Sequence, residues 1–404
     1  MTDATFDPEI EKLISDDEKE ERKRRLLLLL LLLLLVCNCC VAFLFVRYIL
    51  KPQPLPQLLL PTQAASVCYP PAYKFSISGV DGPVAVAASP DGQRIYAAES
   101  KGERLVKMFD RDGNLILSFA PPGTDKANRE PKYMAIDPSG RVFLVDRTSN
   151  AIDIFDADGN FIDAIIGQHT TLSKFLSKEV GALPDGFTFI HYEGINKVLR
   201  YQVPGKDIQA IKVTFPDDEP QWSPLGIRFD AQGNLIYTDI TGGLHSVHVI
   251  PAAELNAPLV NFDPSINAFG VEGQENGQLS FPQVAVQGND GNFYVSDGNN
   301  ARISVWAGDM QYKTFFGFGS KAGSTNLPRG LWLANRNCLH LADAVAGLVR
   351  VYDISGAEPT FAFEFGGFGI AEGQFNYPID VFVDETGRVF VADRENNRIQ
   401  VWSY

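Results

Sequence analysis

Seven acidic residues recur along this 404-residue chain at a spacing that invites a chemical reading: Glu99, Asp146, Glu193, Asp239, Asp297, Asp343 and Asp393. Each closes a short β-rich run and stands before a turn. A ring of carboxylates is what a hard cation such as calcium needs. The same residue types also cap turns, by accepting backbone N–H groups. Recurrence in every copy favours the cap, because a catalytic or metal centre needs groups that differ around the ligand. The acids are therefore assigned a structural role at the turns that follow them, with no catalytic residue and no cofactor assigned, calcium being the one cation left open.

The other reactive residue types form no constellation. The histidines are His169, His191, His245, His248 and His340. His245 and His248 are three apart in a strand-like run, which puts them on opposite faces. No zinc spacing, phosphate-binding loop or Gly-x-Ser-x-Gly nucleophile elbow is present. Gly270, Gly273 and Gly277 read as a linker between repeats. Cys68 and Cys338 are the cysteines beyond the apolar N-terminal block; they can pair in an oxidising compartment, although 270 residues separate them. Cys37, Cys39 and Cys40 lie inside the block, as lipid-compatible residues or palmitoylation sites.

The elements that carry the acids are repeated. The last copy reads Tyr377-Pro378-Ile379-Asp380-Val381-Phe382-Val383-Asp384, a Thr386-Gly387 turn, Arg388 to Asp393, then Asn396-Asn397-Arg398-Ile399-Gln400-Val401-Trp402. Phe281 to Trp306 repeats it closely, and Pro131 to Phe155 is a third good copy. Successive acids are 46 to 58 residues apart. That period, with about four strands per unit, is the signature of a propeller blade. The Pro and Asn-Arg-Ile elements are missing around residues 167–222. The chain ends directly after a third strand, so Tyr73 to Ser78 is expected to supply the fourth and close the ring, protecting its strand edges.

These residues resemble the NHL repeat family over about residues 73–404. The resemblance implies an all-β NHL-type β-propeller. Seven copies predict seven blades, against the six commoner in that family. Amidating lyases similar to this family bind metal through several histidines, and no equivalent set is found among the five here. Propeller sugar-lactone hydrolases bind calcium through scattered acids and amides near the axis, which keeps a calcium-dependent lactonase as the enzymatic alternative.

Ahead of the repeats, Leu26 to Leu35 is an unbroken leucine run, extended by Val36 to Val46. Its 21 residues would reach about 31 Å as a helix, enough for a hydrocarbon core. Residues 26–50 are read as an uncleaved transmembrane signal anchor in contact with membrane lipid. Arg22, Lys23, Arg24 and Arg25 precede the run, against Arg47 and Lys51 after it, which places the N-terminus in the cytoplasm. Asn38, the one strongly polar side chain in the span, offers a hydrogen bond to a neighbouring helix. The tail, residues 1–25, has a helix start at Asp7-Pro8-Glu9 and acid-first pairs Glu18–Arg22, Glu20–Arg24 and Glu21–Arg25. Residues 51–72 hold six prolines and read as an extended stalk. The sequence thus predicts a single-pass cell-membrane protein with an extracytoplasmic propeller.

The net charge is −14, and beyond residue 51 the chain carries 40 acidic and 27 basic residues. Such a surface repels nucleic-acid phosphates. The function expected is a binding or scaffold module for a protein or envelope ligand, with a structural subunit of a larger membrane complex as the remaining alternative.

Overall fold

The computed structural model describes residues 8–50, 68–166, 188–193, 198–212, 222–255 and 267–404. The Pro-rich segment 51–67, His169 and the side chains of Arg47, His191 and Glu193 lie outside the described residues. Two compact units divide the chain, residues 1–65 and 66–404.

The first unit contains one continuous helix, Pro8–Leu50. Its Leu26 to Leu35 side chains are all exposed. Side chains are described from Glu21 to Cys40 and at Ala42 and Phe43; among these described residues alone no helix is long and apolar enough to cross a membrane. Asn38 Nδ2 donates to the Leu34 carbonyl one turn back, at 3.1 Å. The Glu21–Arg25 pair forms at 3.5 Å on an exposed face, where such contacts contribute little.

The second unit is an all-β propeller. Six antiparallel four-stranded sheets surround one axis. Their inner strands are Pro83–Ala88, Pro131–Ile136, Pro224–Phe229, Pro282–Gln287, Pro328–Ala334 and Pro378–Val383. Each of these six opens on proline, at the strand end where a missing N–H costs no ladder bond. They define blades 1 to 6 in chain order. Each inner strand packs on the next, and that of blade 6 packs on that of blade 1.

The ring therefore has six blades, not the seven expected from the period. The third copy is a sheet of three strands, Thr188–Glu193, Val198–Gln202 and Gln209–Lys212. It lies beside the outer strands of blade 2, while the inner strands of blades 2 and 3 touch directly. Burial explains the exclusion. A second strand within a blade is covered on both faces: every residue of Val142–Asp146, Leu235–Asp239 and Phe293–Asp297 is buried. In Val198–Gln202 only alternate residues, Leu199 and Tyr201, are buried. One apolar face suits a sheet laid on the outside and cannot fill a slot between two blades. Glu193 ends the edge strand of this side sheet and does not belong to the ring.

The expected closure forms. Ala72–Ile77 pairs antiparallel with Arg398–Ser403 and completes blade 6, with Tyr73 opposite Trp402 and Ile77 opposite Ile399. Just ahead of the closing strand, Cys68 is disulfide-bonded to Cys338 of blade 5, with the Cα atoms 5.7 Å apart.

One ion pair blocks the axis halfway along. Arg228 of blade 3 and Asp380 of blade 6 meet at 2.5 Å, almost fully buried. Arg228 also donates to the carbonyls of Leu331 in blade 5 and Met134 in blade 2, at 3.1 and 3.3 Å. Asp380 Oδ2 accepts the Val86 N–H of blade 1 at 3.2 Å. Five of the six inner strands are thereby joined. Gly330 makes room for it, since a Cβ there would lie 2.3 Å from Asp380 Oδ1 and 2.6 Å from its Cα.

Candidate functional site

The plug separates two axial mouths of opposite charge. At the ends of the inner strands lies a mouth lined by Asp91, Asp137, Asp230, Asp384 and Glu385, with no cation among its lining residues. Two of those acids are already bound, Asp137 to Arg141 at 2.7 Å and Asp384 to Arg388 at 2.8 Å.

At the starts of the inner strands the axis opens into a basin of 350 Å³ with contributions from all six blades. Its construction follows a positional rule. The residue after each strand-opening proline lines it: Val84, Lys132, Leu225, Gln283, Arg329 and Ile379. So does the residue after the strand-end acid in four blades: Ser100, Arg147, Ile240 and Arg394. The lining carries Lys132, Arg147, Arg329 and Arg394 against one acid, Glu130. In a chain of net charge −14 this is a local reversal of sign, and low-dielectric walls concentrate its field.

The cations are held by their neighbours. Lys132 Nζ lies 2.8 Å from Glu130. Arg147 donates to Ser223 Oγ, and burial lowers its pKa, with Glu130 and Asp239 opposing. Arg394 bonds Glu395 at 2.6 Å and sits 6.0 Å over the Tyr377 ring. Arg329 donates to Tyr377 Oη at 3.3 Å. Its Nε is buried with no hydrogen-bond partner among the described residues.

Phe281 and Tyr377 also line the basin, each directly before a strand-opening proline. Both hold left-handed backbone, at φ 57° and 61°. A bulky residue pays for that conformation, and a following proline restricts it further. Such strain costs about 1–3 kcal/mol per residue and gathers at ligand sites. The Phe281 N–H donates to His245 Nδ1 at 3.2 Å, so that histidine fixes the strained turn from behind.

The strand-end acids lie one layer beneath the basin and reach back to the backbone ahead of their own inner strands. Glu99 accepts from Asp81 N at 2.8 Å, Asp146 from Glu130 N at 3.2 Å, and Asp239 from Ser223 N at 3.4 Å. Asp297 accepts from Ser280 N at 2.7 Å, Asp343 from Asn326 N at 2.8 Å, and Asp393 from Asn376 N at 2.7 Å. Among the described residues no three His, Cys, Asp or Glu side chains converge as metal ligands would. His340 is buried, bonded to Tyr404 Oη, and pushed down to about 4 by desolvation, so it is neutral.

Blade 2 departs from the pattern. Seven residues after the acid, blades 4, 5 and 6 place a donor on it: Ser304 on Asp297 at 3.2 Å, Arg350 on Asp343 at 3.1 Å, Gln400 on Asp393 at 3.0 Å. Blade 2 has Asp153 there, buried, with Oδ2 unpartnered among the described residues. Burial first, then the Asp146 charge, raises the Asp153 pKa well above the usual carboxylate range. Burial likewise pushes Asp146 up to about 6, against three N–H bonds. Groups raised on folding stabilise fully below their unfolded pKa near 4, and the contribution is lost as pH rises through the folded value. Asp153→Asn should therefore stabilise by about 1–2 kcal/mol at pH 7.5, with the gain in Tm shrinking towards pH 4.5. An equal gain at both pH values would show that burial does not raise the Asp153 pKa.

Comparison with known proteins agrees with this architecture. The NHL repeat family profile matches residues 375–402, within the ring-closing blade. No curated protein sequence matches the chain. Among solved structures, virginiamycin B lyase from Staphylococcus aureus is similar, at 13% identity and TM-score 0.51, covering 83% of this chain and 99% of its own. A protein of unknown function from Bacteroides thetaiotaomicron is similar at 13% identity and TM-score 0.51, covering 83% of this chain and 72% of its own. At such identity the likeness is one of fold. The chain is a six-bladed β-propeller that carries an NHL repeat in the blade where its two ends meet.

Proposed function

We propose that this chain is a membrane-anchored binding protein whose extracytoplasmic propeller takes its ligand in the axial basin. The observation that carries the reading is convergence: one fixed position in every blade and a second in four of the six, together with two strained aromatics, line one cavity at the mouth of a plugged axis. Concave sites with a few convergent polar groups are where propellers and other rigid scaffolds bind. The anchor reading rests on the apolar run Leu26 to Val46 and the basic residues before it. The Cys68–Cys338 bridge supports an oxidising compartment for the propeller. The exposed basin rim suits either a protein segment or an envelope component as ligand.

The test places a photo-crosslinking benzoylphenylalanine at Phe281 in the full chain, expressed in its native membranes. A discrete crosslinked species at Phe281, absent when the same group replaces Lys313 on the outer strand of blade 4, is expected. Identical crosslinking at both positions, or none at Phe281, would remove the basin as the binding site.

A further inference from the structure

We infer that the basin recognises an oxyanion, a carboxylate or phosphate group carried by that ligand. The inference rests on the binding role proposed for the basin and supplies the chemistry of the ligand.

Four long cations from three blades point at one cavity: Lys132 and Arg147 of blade 2, Arg329 of blade 5 and Arg394 of blade 6. The acids near them are too few to neutralise the set. Glu130 lines the basin and is engaged by Lys132 at 2.8 Å. Glu395 is shared between Arg394 at 2.6 Å and Lys101 at 2.8 Å. Asp146 and Asp239 lie beneath and are occupied by backbone N–H groups. Among the described residues Arg147 and Arg329 pair with no carboxylate. They are held instead by neutral hydroxyls, Ser223 and Tyr377, which orient a guanidinium without discharging it.

Keeping like charges together beside low-dielectric walls is unfavourable, and a bound anion relieves it. Guanidinium groups meet carboxylate and phosphate oxygens in bidentate geometry, so three arginines suit an oxyanion better than a halide. A 350 Å³ cavity admits such a group with a short apolar body and lies at the low end for ligand pockets. The aromatic walls, Phe281 and Tyr377, would cover the apolar body behind the charged group.

The experiment uses the full chain in nanodiscs of zwitterionic lipid, titrated calorimetrically at constant ionic strength. The probes are citrate and inorganic pyrophosphate, with glucose and spermine as neutral and cationic controls. Saturable binding of citrate or pyrophosphate is expected, and the stronger of the two tells carboxylate from phosphate as the preferred group. Arg394→Gln and, separately, Lys132→Gln should each weaken that binding about ten- to hundredfold, while Lys313→Gln leaves it unchanged. Two independent variants guard against one that fails to fold.

Binding that is untouched by Arg394→Gln and Lys132→Gln, or that is weakened equally by Lys313→Gln, would overturn the inference. So would glucose or spermine binding in place of the anions. If neither anion binds but Phe281 still crosslinks a partner in native membranes, the oxyanion is wrong and the binding role survives. If both experiments fail, both readings fall.

Discussion

Asp380→Asn should lower the Tm of the propeller by about 4–7 °C. The figure follows from a loss of about 3–5 kcal/mol for one broken buried ion pair and an unfolding entropy of about 2.1 cal/mol/K per residue. Asp380 and Arg228 sit on the axis, 0% and 2% exposed. Burial pushes the Asp380 carboxyl up to about 6, with the Arg228 guanidinium pulling the other way. Desolvation therefore exceeds the attraction between the two groups, so the pair is a device for joining strands more than a source of stability. Its geometry agrees, because the two side chains engage the backbone of blades 1, 2 and 5 from blades 3 and 6.

The two halves of the pair should fail differently. Asp380→Asn leaves a guanidinium that cannot lose its proton and removes a carboxyl whose raised pKa favours the parent at low pH, so the loss should be larger at pH 5 than at pH 8. Arg228→Met leaves a carboxyl that can take up a proton. Its pKa then rises above 6, and stability is restored as pH falls through that value. Arg228→Met should thus be costly at pH 8 and much milder at pH 5. The double variant, Arg228→Met with Asp380→Asn, keeps an acceptor for Val86 N–H and should recover most of either loss. Thermal melts of the three variants at both pH values decide the matter; equal pH profiles for the single variants would mean that the pair is not the axial lock.

How much of this was legible depends on which regularity is followed. Turns and strand-end acids count seven units, because the inserted side sheet lies 47 residues after Asp146 and 46 before Asp239, close to one blade period. Strand-opening prolines count six: Pro83, Pro131, Pro224, Pro282, Pro328 and Pro378. The alternation Leu199-Arg200-Tyr201 also marks the third copy as one-faced, unlike the continuous apolar run Val142 to Val145. The closing strand was legible as an alternating run of strand length, Tyr73 to Ser78, directly ahead of the first copy.

The basin was not legible as chemistry. Its six proline-following residues are Val84, Lys132, Leu225, Gln283, Arg329 and Ile379, which share a position and no property. The strand-end acids drew attention by repetition, and the variable residues beside them, Arg147 and Arg394 among these, line the basin. In a repeat protein the constant positions build the scaffold and the varied ones build the ligand surface. Arg228 and Asp380 left a fainter sign, a charge within an otherwise apolar inner strand, with nothing in the sequence to pair two residues 152 apart.

Removing residues 400–404 should cost more than any single substitution. Among the described residues blade 6 is the one ring sheet that joins the first and last strands of the propeller, so its third strand holds the ring shut. The deletion takes away Trp402, which is 7% exposed. That ring packs edge-on against Tyr73 at 5.7 Å and lies 4.8 Å from Phe365 of the neighbouring blade. It also removes Gln400, a donor to Asp393 at 3.0 Å, and Tyr404, the partner of buried His340. Loss of a buried tryptophan alone costs about 3–5 kcal/mol. Adding the ladder to Ala72–Ile77 should bring the loss above about 6 kcal/mol, or more than 8 °C in Tm on the same entropy scale. Trp402→Ala should give about half of that. The Cys68–Cys338 bridge sets the limit of the damage, because it pins the segment before the closing strand to blade 5. Cys338→Ser should cost about 2–5 kcal/mol by itself, and with the deletion should leave the closing strand without either attachment. Hydrogen exchange at Ala72–Ile77 reads this directly: slow in the parent chain, faster in each single variant, unprotected in the combination. Protection that persists in the combined variant would mean that the ring is closed by something other than the pairing of its two ends.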